Sequence, residues 1–231
     1  MMHRLQALLW DVDGTLADTE QQGHRPAFNA AFAAAGLPWH WDTGTYQRLL
    51  QTSGGRERIL AWMAEVGERD ESLAAELHRS KQQHYRDLLR QGSVPLRPGV
   101  LALACDAAAA GLQQWIVTTS GRAAVAALLH NTPELEACFA GWICGDDVQR
   151  KKPDPEAYSL ALGHLKLPAC EVLAIEDSPQ GLAAAKGAGL EVVITTDNWS
   201  GGATALAEAA LVVEHLSEGP VTLKQLSALL P

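Results

Sequence analysis

The chain has 231 residues, of which 47% are hydrophobic and 19% are charged, and its formal net charge at pH 7 is −9. This length and composition are typical of a globular protein with one large domain, or with one domain and a smaller insert. The acidic balance argues against a nucleic-acid partner, because such binding depends on Lys and Arg side chains that neutralise phosphates. A small phosphorylated metabolite is not excluded, since a pocket can be basic in an acidic protein.

Cysteine spacing and the length of the apolar runs indicate the cellular setting. The four cysteines contain no C-x-x-C pair, so zinc and redox sites are unsupported and a reducing compartment is expected. The apolar run at the N-terminus is too short for a signal peptide, and no run reaches the length of a membrane span. We therefore expect a cytoplasmic monomer with no membrane partner.

Short apolar runs alternate with helical patterns along most of the chain. The apolar runs predict buried strands at residues 5–10, 114–118, 141–145, 172–176, 191–195 and 210–214. Helical patterns lie between most of them, at residues 98–112, 121–130, 154–165, 179–189 and 201–209. This alternation predicts an α/β fold, a Rossmann-like doubly wound parallel sheet with helices on both faces.

Residues 19–94 interrupt this alternation. They contain no convincing strand, and their apolar residues recur with helical spacing at 24–37, 54–66 and 71–92. The chain is expected to return to the sheet at SVPLRPGV, residues 93–100, where two prolines mark a change of structure. The sequence therefore predicts an α/β core of residues 1–18 and 95–231 with an all-helical insert at 19–94.

Polar side chains follow four consecutive predicted strands. They are carboxylates, hydroxyls and one cation: Asp11 and Asp13 after the first strand, Thr118, Thr119 and Ser120 after the second, Lys152 after the third, and Glu176 and Asp177 at the fourth. Ligands of open parallel sheets bind at the carboxyl ends of the strands. We therefore expect these side chains to form one site at one edge of the sheet.

Each of these residues, taken alone, has an ordinary structural explanation. An aspartate at a strand end is often a helix N-cap or a turn residue. Thr118 could be only a β-branched strand residue, and Lys152 could be a solvated surface lysine. Their joint placement favours a functional site, because independent caps need not supply complementary chemistry.

The predicted set suits phosphate chemistry with a divalent cation. Clustered carboxylates need a cation to remain ionised together, and hard oxygen ligands suit Mg²⁺; they would come from Asp11, Asp13 and Asp177, with Glu176 nearby. A phosphate could be bound by Thr118, Ser120, Lys152 and the N–H groups of the D-G-T loop. One aspartate of the D-x-D pair can attack phosphorus, while the other protonates the leaving oxygen and then activates water.

The sequence resembles the haloacid dehalogenase-like phosphohydrolases through four motifs in the family's order: DVDGTL at 11–16, the apolar run to Thr118, KKP at 151–153 and IEDS at 175–178. The resemblance implies that Asp11 is the nucleophile, that Asp13 is the general acid/base, and that Thr118 and Lys152 bind phosphate. It implies Mg²⁺ between Asp11, the main-chain carbonyl of Asp13 and Asp177, with Glu176 contributing directly or through water. It also implies that the helical insert is a cap domain that closes over the site and excludes water.

Within that superfamily, the insert is similar to the CbbY-type phosphatases at residues 24–42 and 46–59. Members of that branch act on xylulose-1,5-bisphosphate, so the similarity implies that Arg56 and Arg58 bind the phosphate far from the reacting one. Gly54 and Gly55 would let backbone N–H groups approach the same anion. An arginine fork matches phosphate geometry, which makes this assignment physically reasonable.

The assignment of other substrate contacts leaves alternatives open. Glu20 and His24 could line the same cleft, but His24 could equally be an ordinary packed or solvated histidine. Arg56 could be an exposed helix residue paired with Glu57. Arg122 stands where some relatives have a smaller polar group, so the pocket for the leaving group could differ.

Three competing functions remain. A receiver-type signalling domain gathers similar residues, but its phosphoacceptor lies at a later strand end and it needs no helical insert. A non-catalytic phosphate-binding protein on the same fold would be expected to lack Asp11 or Asp13, and both are present. A β-phosphoglucomutase or a phosphoglycolate phosphatase-type enzyme would share the chemistry; Thr15 leans toward a hydrolase over a mutase.

Overall fold

A parallel six-stranded sheet forms the centre of the α/β part of the chain. The computed structural model describes residues 5–52, 54–196, 206–219 and 221–231. The strands are β1 (Ala7–Trp10), β2 (Gln113–Val117), β3 (Gly141–Ile143), β4 (Val172–Glu176), β5 (Glu191–Thr195) and β6 (Leu211–Val213). Their order in the sheet is β3-β2-β1-β4-β5-β6, and every pairing is parallel. The predicted doubly wound α/β fold is confirmed.

The strands adopt this arrangement because their side chains are apolar on both faces. All four residues of β1 are buried, and Leu9 pairs with Trp115 on one side and Ala174 on the other. A near-continuous apolar run of this kind is what a strand buried on both faces requires. The consequence for function is that β1, β2 and β4 end side by side at the same edge.

Helices cover both faces of the sheet. They are α5 (Val100–Ala109), α6 (Arg122–Leu129), α7 (Pro133–Glu136), α8 (Glu156–Leu165), α9 (Pro179–Gly187) and α10 (Leu223–Ala228), with a 3₁₀ turn at Ala169–Glu171. Helices α8 and α9 pack with Ala7 and Leu9 in one core cluster. On the other face, the buried Gln114 side chain donates to the Ala104 carbonyl in α5 and accepts a hydrogen bond from Trp10 Nε1.

A second compact unit, Thr19–Val94, is helical, and the first unit comprises Met1–Asp18 and Pro95–Pro231. The helical unit begins with a π-helical turn, Glu20–His24, and continues as α1 (Arg25–Ala34), α2 (Thr43–Leu49), α3 (Gly55–Glu65) and α4 (Glu71–Arg90). Its interior is aromatic, since Trp41 is fully buried with ring centroids 4.6 Å from Phe28 and 4.9 Å from Phe32. Asn29 fixes the loop after α1 by binding both the N–H and the carbonyl of Trp41.

The structure changes several predicted boundaries. The first strand begins at Ala7 rather than at residue 5, and the third ends at Ile143 rather than at residue 145, where the chain turns through the Asp146–Asp147 corner. Helices α2, α7 and α10 were not predicted. The helix predicted at 201–209 lies largely outside the described residues, because 201–205 are not described. Among the described helices, none combines the length and the apolar character that crossing a membrane requires.

Candidate active site

Adjacent strands deliver the first part of the site. Asp11 directly follows β1, and its N–H donates to the Ile175 carbonyl of β4 at 3.0 Å. Thr118 follows β2, and its N–H donates to the Ile143 carbonyl of β3 at 2.9 Å. Because β1 lies between β2 and β4, the chain brings Asp11, Thr118 and Glu176 to one edge of the sheet, as the sequence predicted.

A buried ammonium group joins two of these carboxylates. Lys152 Nζ lies 2.6 Å from Asp11 Oδ1 and 2.5 Å from Glu176 Oε1, and it donates to the Val117 carbonyl at 2.8 Å. The three side chains are 5%, 9% and 1% exposed, so Lys152 is no solvated surface lysine. Removing the ammonium would leave two buried carboxylates without a counter-charge, and removing both carboxylates would leave a buried cation alone. Either change is strongly unfavourable.

Burial and charge act in opposite directions on these groups. Burial disfavours the charged form of Lys152, but the attraction of Asp11 and Glu176 prevails and raises its pKa above the ordinary value. Burial raises the pKa of Asp11 well above its usual range, with further repulsion from Glu176 and Asp13, although Lys152 opposes the shift.

Glu176 is held by a tyrosine that the sequence reasoning missed. Tyr158 in α8 is fully buried, and its hydroxyl donates to Glu176 Oε1 at 2.6 Å. The other carboxylate oxygen accepts from the Asp177 N–H at 3.2 Å. The signal available in the sequence was a tyrosine among the apolar positions of the helical pattern at 154–165, since a buried phenol requires a hydrogen-bond partner.

Three carboxylates converge closely enough to hold a metal ion. Asp11, Glu176 and Asp177 each offer an oxygen within 4.8 Å of the others. A Cβ atom added to Gly14 would overlap the Asp177 carboxylate, so the loop backbone lies directly against that ligand. Three carboxylate groups with hard oxygen donors at this spacing fit a divalent cation such as Mg²⁺.

Asp13 and Ser120 face each other across the site. The Ser120 hydroxyl donates to Asp13 Oδ2 at 2.5 Å, and the Ser120 N–H donates to Thr118 Oγ1 at 3.1 Å. The Asp13 carboxylate is thus oriented by Ser120, which lies three positions past the end of β2. Thr119, which lies between Thr118 and Ser120 in the sequence, is exposed, and its carbonyl lies against Gly145.

Arg122 is engaged at a different strand end. Its guanidinium donates to Asp147 Oδ2 at 2.7 Å and to the Trp142 carbonyl at 3.2 Å, and its N–H donates to Asp146 Oδ2. These contacts hold the side chain beside β3. A contact between Arg122 and a substrate, expected from the sequence, stays a prediction.

Glu20 and Arg58 lie at the two ends of a chain of contacts within the helical unit. The hydroxyl of Tyr46 in α2 donates to Glu20 Oε2 and accepts from Arg58 Nη1 at 2.9 Å. The Arg58 guanidinium also lies 5.3 Å from the centroid of the Tyr46 ring. Tyr46 is a polar aromatic at a buried position, and the sequence reasoning did not identify it.

His24 and Arg56 have different partners in the same unit. His24 Nδ1 lies 2.8 Å from Nζ of the buried Lys81, and its ring centroid lies 4.0 Å from that of Tyr85, with the two rings tilted by 36°. Arg56 is 41% exposed and pairs with Glu71 at 3.5 Å, rather than with Glu57. Such a long and exposed ion pair contributes little, so Arg56 can exchange Glu71 for another anion.

The glycine pair before Arg56 is required by close packing. Gly54 has φ of 93°, and a Cβ there would overlap the Glu57 carboxylate. A Cβ on Gly55 would lie 3.0 Å from the ring of His78. Burial, followed by the charge of Lys81, lowers the pKa of His78. The turn thus lies among cationic and ionisable side chains.

Comparison with known proteins gives a matching family and many similar proteins and solved structures. The family model of the haloacid dehalogenase-like hydrolases matches residues 5–189. Protein CbbY of Rhodobacter capsulatus is 45% identical over 201 residues, covering 86% of this chain and 88% of that protein. The crystal structure of CbbY from Rhodobacter sphaeroides in complex with phosphate is 38% identical with a TM-score of 0.80, covering 93% of this chain and 96% of that one. A mutant of the same protein in complex with xylulose-1,5-bisphosphate is 37% identical with a TM-score of 0.80 and the same coverage.

Proposed function

The chain belongs to the haloacid dehalogenase-like hydrolases and is a phosphatase, and we propose that it removes a phosphoryl group from xylulose-1,5-bisphosphate with the help of Mg²⁺. The observation that carries this proposal is the buried cluster of Asp11, Lys152 and Glu176 beside Asp177. A nucleophilic carboxylate, a fixed cation and a divalent metal site are the parts that phosphoryl transfer needs.

In the proposed reaction, Asp11 attacks phosphorus and forms an aspartyl-phosphate as the bond to the sugar oxygen breaks. Asp13 gives its proton to the departing oxygen. Asp13 then takes a proton from water, whose oxygen attacks the phosphorus, so that inorganic phosphate leaves and the Asp11 carboxylate is restored. The Ser120 hydroxyl, 2.5 Å from Asp13 Oδ2, orients the carboxyl group for both steps.

The remaining residues of the site position the phosphate and balance its charge. Lys152 holds Asp11 by a hydrogen bond of 2.6 Å and partly neutralises the negative charge around it. Thr118 supplies a hydroxyl beside β2, and the loop after Asp13 supplies backbone N–H groups. Asp11, Glu176, Asp177 and the main chain of Asp13 would hold Mg²⁺, which supplies charge neutralisation and polarises a phosphate oxygen when bound.

We assign recognition of the rest of the substrate to the helical unit. Glu20, His24, Gly54, Gly55, Arg56 and Arg58 are the proposed contacts. Support comes from Arg56, whose long exposed pair with Glu71 is weak, and from the turn at Gly54, which lies beside it. The solved mutant complex with xylulose-1,5-bisphosphate, at 37% identity over most of this chain, supports the choice of substrate.

A substrate panel tests the proposal. Phosphate release would be measured with Mg²⁺ on xylulose-1,5-bisphosphate, ribulose-1,5-bisphosphate, 2-phosphoglycolate, glucose-1-phosphate and fructose-1,6-bisphosphate, and compared as ratios of kcat/KM. We expect a large preference for xylulose-1,5-bisphosphate, and Arg56→Ala should raise KM for bisphosphates far more than for monophosphates. A flat profile, or preference for a monophosphate, would contradict the substrate assignment. Conversion of glucose-1-phosphate to glucose-6-phosphate in a coupled assay would instead indicate a mutase.

A further inference from the structure

Arg97 makes contacts that the proposed reaction does not account for. It lies in the segment that leads from the helical unit back to the sheet, and its side chain is half-buried. Nη1 donates to the Gly14 carbonyl at 2.7 Å, and Nη2 donates to the Thr196 carbonyl at 2.7 Å and to the Glu214 carbonyl at 2.6 Å. One guanidinium therefore donates hydrogen bonds to three separate segments of backbone.

These three carbonyls lie at the carboxyl edge of the sheet. Gly14 belongs to the loop after β1, Thr196 follows β5, and Glu214 follows β6. Hydrogen bonds from a charged donor are shorter and stronger than neutral ones, and a planar guanidinium fixes the directions of its partners. Arg97 thus ties the loop after β1 to the ends of two strands that lie on the far side of β4.

The backbone of Arg97 holds the same loop from a second point. Its N–H donates to the Leu16 carbonyl at 2.9 Å, and its neighbour Leu96 forms an antiparallel bridge with Ala17. The loop is also closed on itself, since the Gly14 N–H donates to the Ala17 carbonyl at 2.9 Å. Both polar groups of Gly14 are therefore held, one by the loop itself and one by Arg97.

Gly14 connects the contacts of Arg97 with the candidate site. Its φ of +80° favours glycine, and its Cα faces the Asp177 carboxylate so closely that a Cβ would overlap it. The peptide before Gly14 carries the Asp13 carbonyl, and the peptide after it carries the Thr15 N–H. Fixing the Gly14 carbonyl therefore limits how far Asp13 and Thr15 can move relative to Asp177.

We propose that Arg97 is a positioning residue of the phosphatase, which holds the loop of residues 12–17 so that Gly14 stays against Asp177 and Asp13 keeps its place beside Ser120. The inference rests on the proposed role of Asp13 in the reaction. Arg97 acts through the loop and does not touch the reacting atoms. Its loss should therefore lower kcat much more than it changes KM, because small misplacements of a reacting group reduce the rate of the chemical step.

Three variants test this role. Arg97→Met removes the guanidinium, and Arg97→Lys keeps the charge but cannot reach all three carbonyls at once. Lys186→Met is the matched control, because it removes a cation and its contacts with both oxygens of Glu191 at the opposite end of β5. The measurements are kcat and KM for p-nitrophenyl phosphate, hydrogen–deuterium exchange of residues 12–18, and thermal unfolding.

We expect Arg97→Met to lower kcat about 10- to 100-fold while KM stays within about threefold of the parent's value. The kcat of Arg97→Lys should lie between those of the parent and of Arg97→Met. Exchange of residues 12–18 should rise in Arg97→Met at a temperature where the protein is folded, and not in Lys186→Met. The proposal would be overturned if exchange of residues 12–18 were the same in Arg97→Met as in the parent. It would also be overturned if the parent were active and Arg97→Met had the same kcat. If the parent releases no phosphate, the proposed function fails, and the exchange data alone still decide whether Arg97 fixes the loop.

Discussion

At the scale of single residues, the site is organised by Lys152. Its Nζ contacts Asp11, Glu176 and the Val117 carbonyl at once, and all three side chains of the ion cluster are nearly inaccessible to water. The pKa of Lys152 is raised even though burial opposes its charge, because two carboxylates surround it. A structural role of Lys152 follows from these contacts, and the catalytic role proposed for it can be tested against its exposed neighbour Lys151.

Lys152→Met should lower the free energy of unfolding by about 3–5 kcal/mol, because Asp11 and Glu176 would lose their buried counter-charge. Phosphatase kcat should fall by about 100-fold or more, since a fixed cation beside the phosphoryl group is lost. Urea unfolding without added metal measures the first effect. The control is Lys151→Met, whose exposed side chain should matter by less than about 0.5 kcal/mol. Equal unfolding midpoints for the two variants would contradict the role given to Lys152.

At the scale of elements, strand ends and helix starts position the residues of the candidate site. Helix α9 begins directly after Asp177, with Ser178 as its N-cap accepting from the Gly181 N–H and Pro179 in its first turn. Gly181 then passes so close to Glu176 that a Cβ would overlap its carboxylate. The approach of α9 to β4 therefore depends on a glycine inside a helix, where glycine is otherwise unfavourable.

Two glycine substitutions in neighbouring helices should have opposite effects. Gly163→Ala in α8 should raise the free energy of unfolding by about 0.5–1 kcal/mol, because nothing lies within 4 Å of the added atom. Gly181→Ala should lower stability and reduce kcat about tenfold or more, since Glu176 must move. Thermal unfolding and phosphate release check both variants. A gain in stability for Gly181→Ala with full activity would show that Glu176 is not restrained by α9.

Elements with strong periodicity could be predicted, and short ones could not. The strands at 172–176 and 191–195 were predicted to the residue, because each is a continuous apolar run between turn residues. Helices α2, α7 and α10 have only 7, 4 and 6 residues, too few for a 3.6-residue period to show. For α10, the capping box of Thr222 and Gln225 was the available signal. The π-helical turn at Glu20–His24 carries no comparable pattern.

At the scale of the whole molecule, topology explains why the candidate site could be predicted from sequence. Residues as far apart as Asp11 and Lys152 meet because parallel strands end at one edge, and that rule needs no knowledge of side-chain contacts. The partners that orient the site, Tyr158 and Arg97, were not predicted, because their roles depend on which buried or backbone oxygen lies within reach. Such contacts arise from packing of distant segments, which local patterns do not encode.

The negative charge of the chain, and of the candidate site in particular, affects how an anionic substrate could bind. The chain carries a formal charge of −9, and Asp11 and Glu176 both pair with the buried Lys152, while a carboxylate oxygen of Asp177 lies within 4.8 Å of theirs. An anionic sugar phosphate would be repelled by this edge of the sheet unless a divalent cation were bound there. The arginines of the helical unit, Arg56 and Arg58, are proposed to supply further positive charge for a second phosphate.

The most direct test of the central claim is to trap the phosphorylated enzyme. Asp13→Asn removes the acid that protonates a sugar leaving group, but p-nitrophenyl phosphate, whose leaving group needs no protonation, should still phosphorylate Asp11. Because the variant also lacks the base that activates water, acid quenching after mixing with Mg²⁺ and p-nitrophenyl phosphate should preserve the intermediate. Peptide mass spectrometry should then find the phosphoryl group on Asp11, and Asp11→Asn should carry none. A phosphoryl group on another residue, or phosphate release by Asp11→Asn at the parent's rate, would contradict the account.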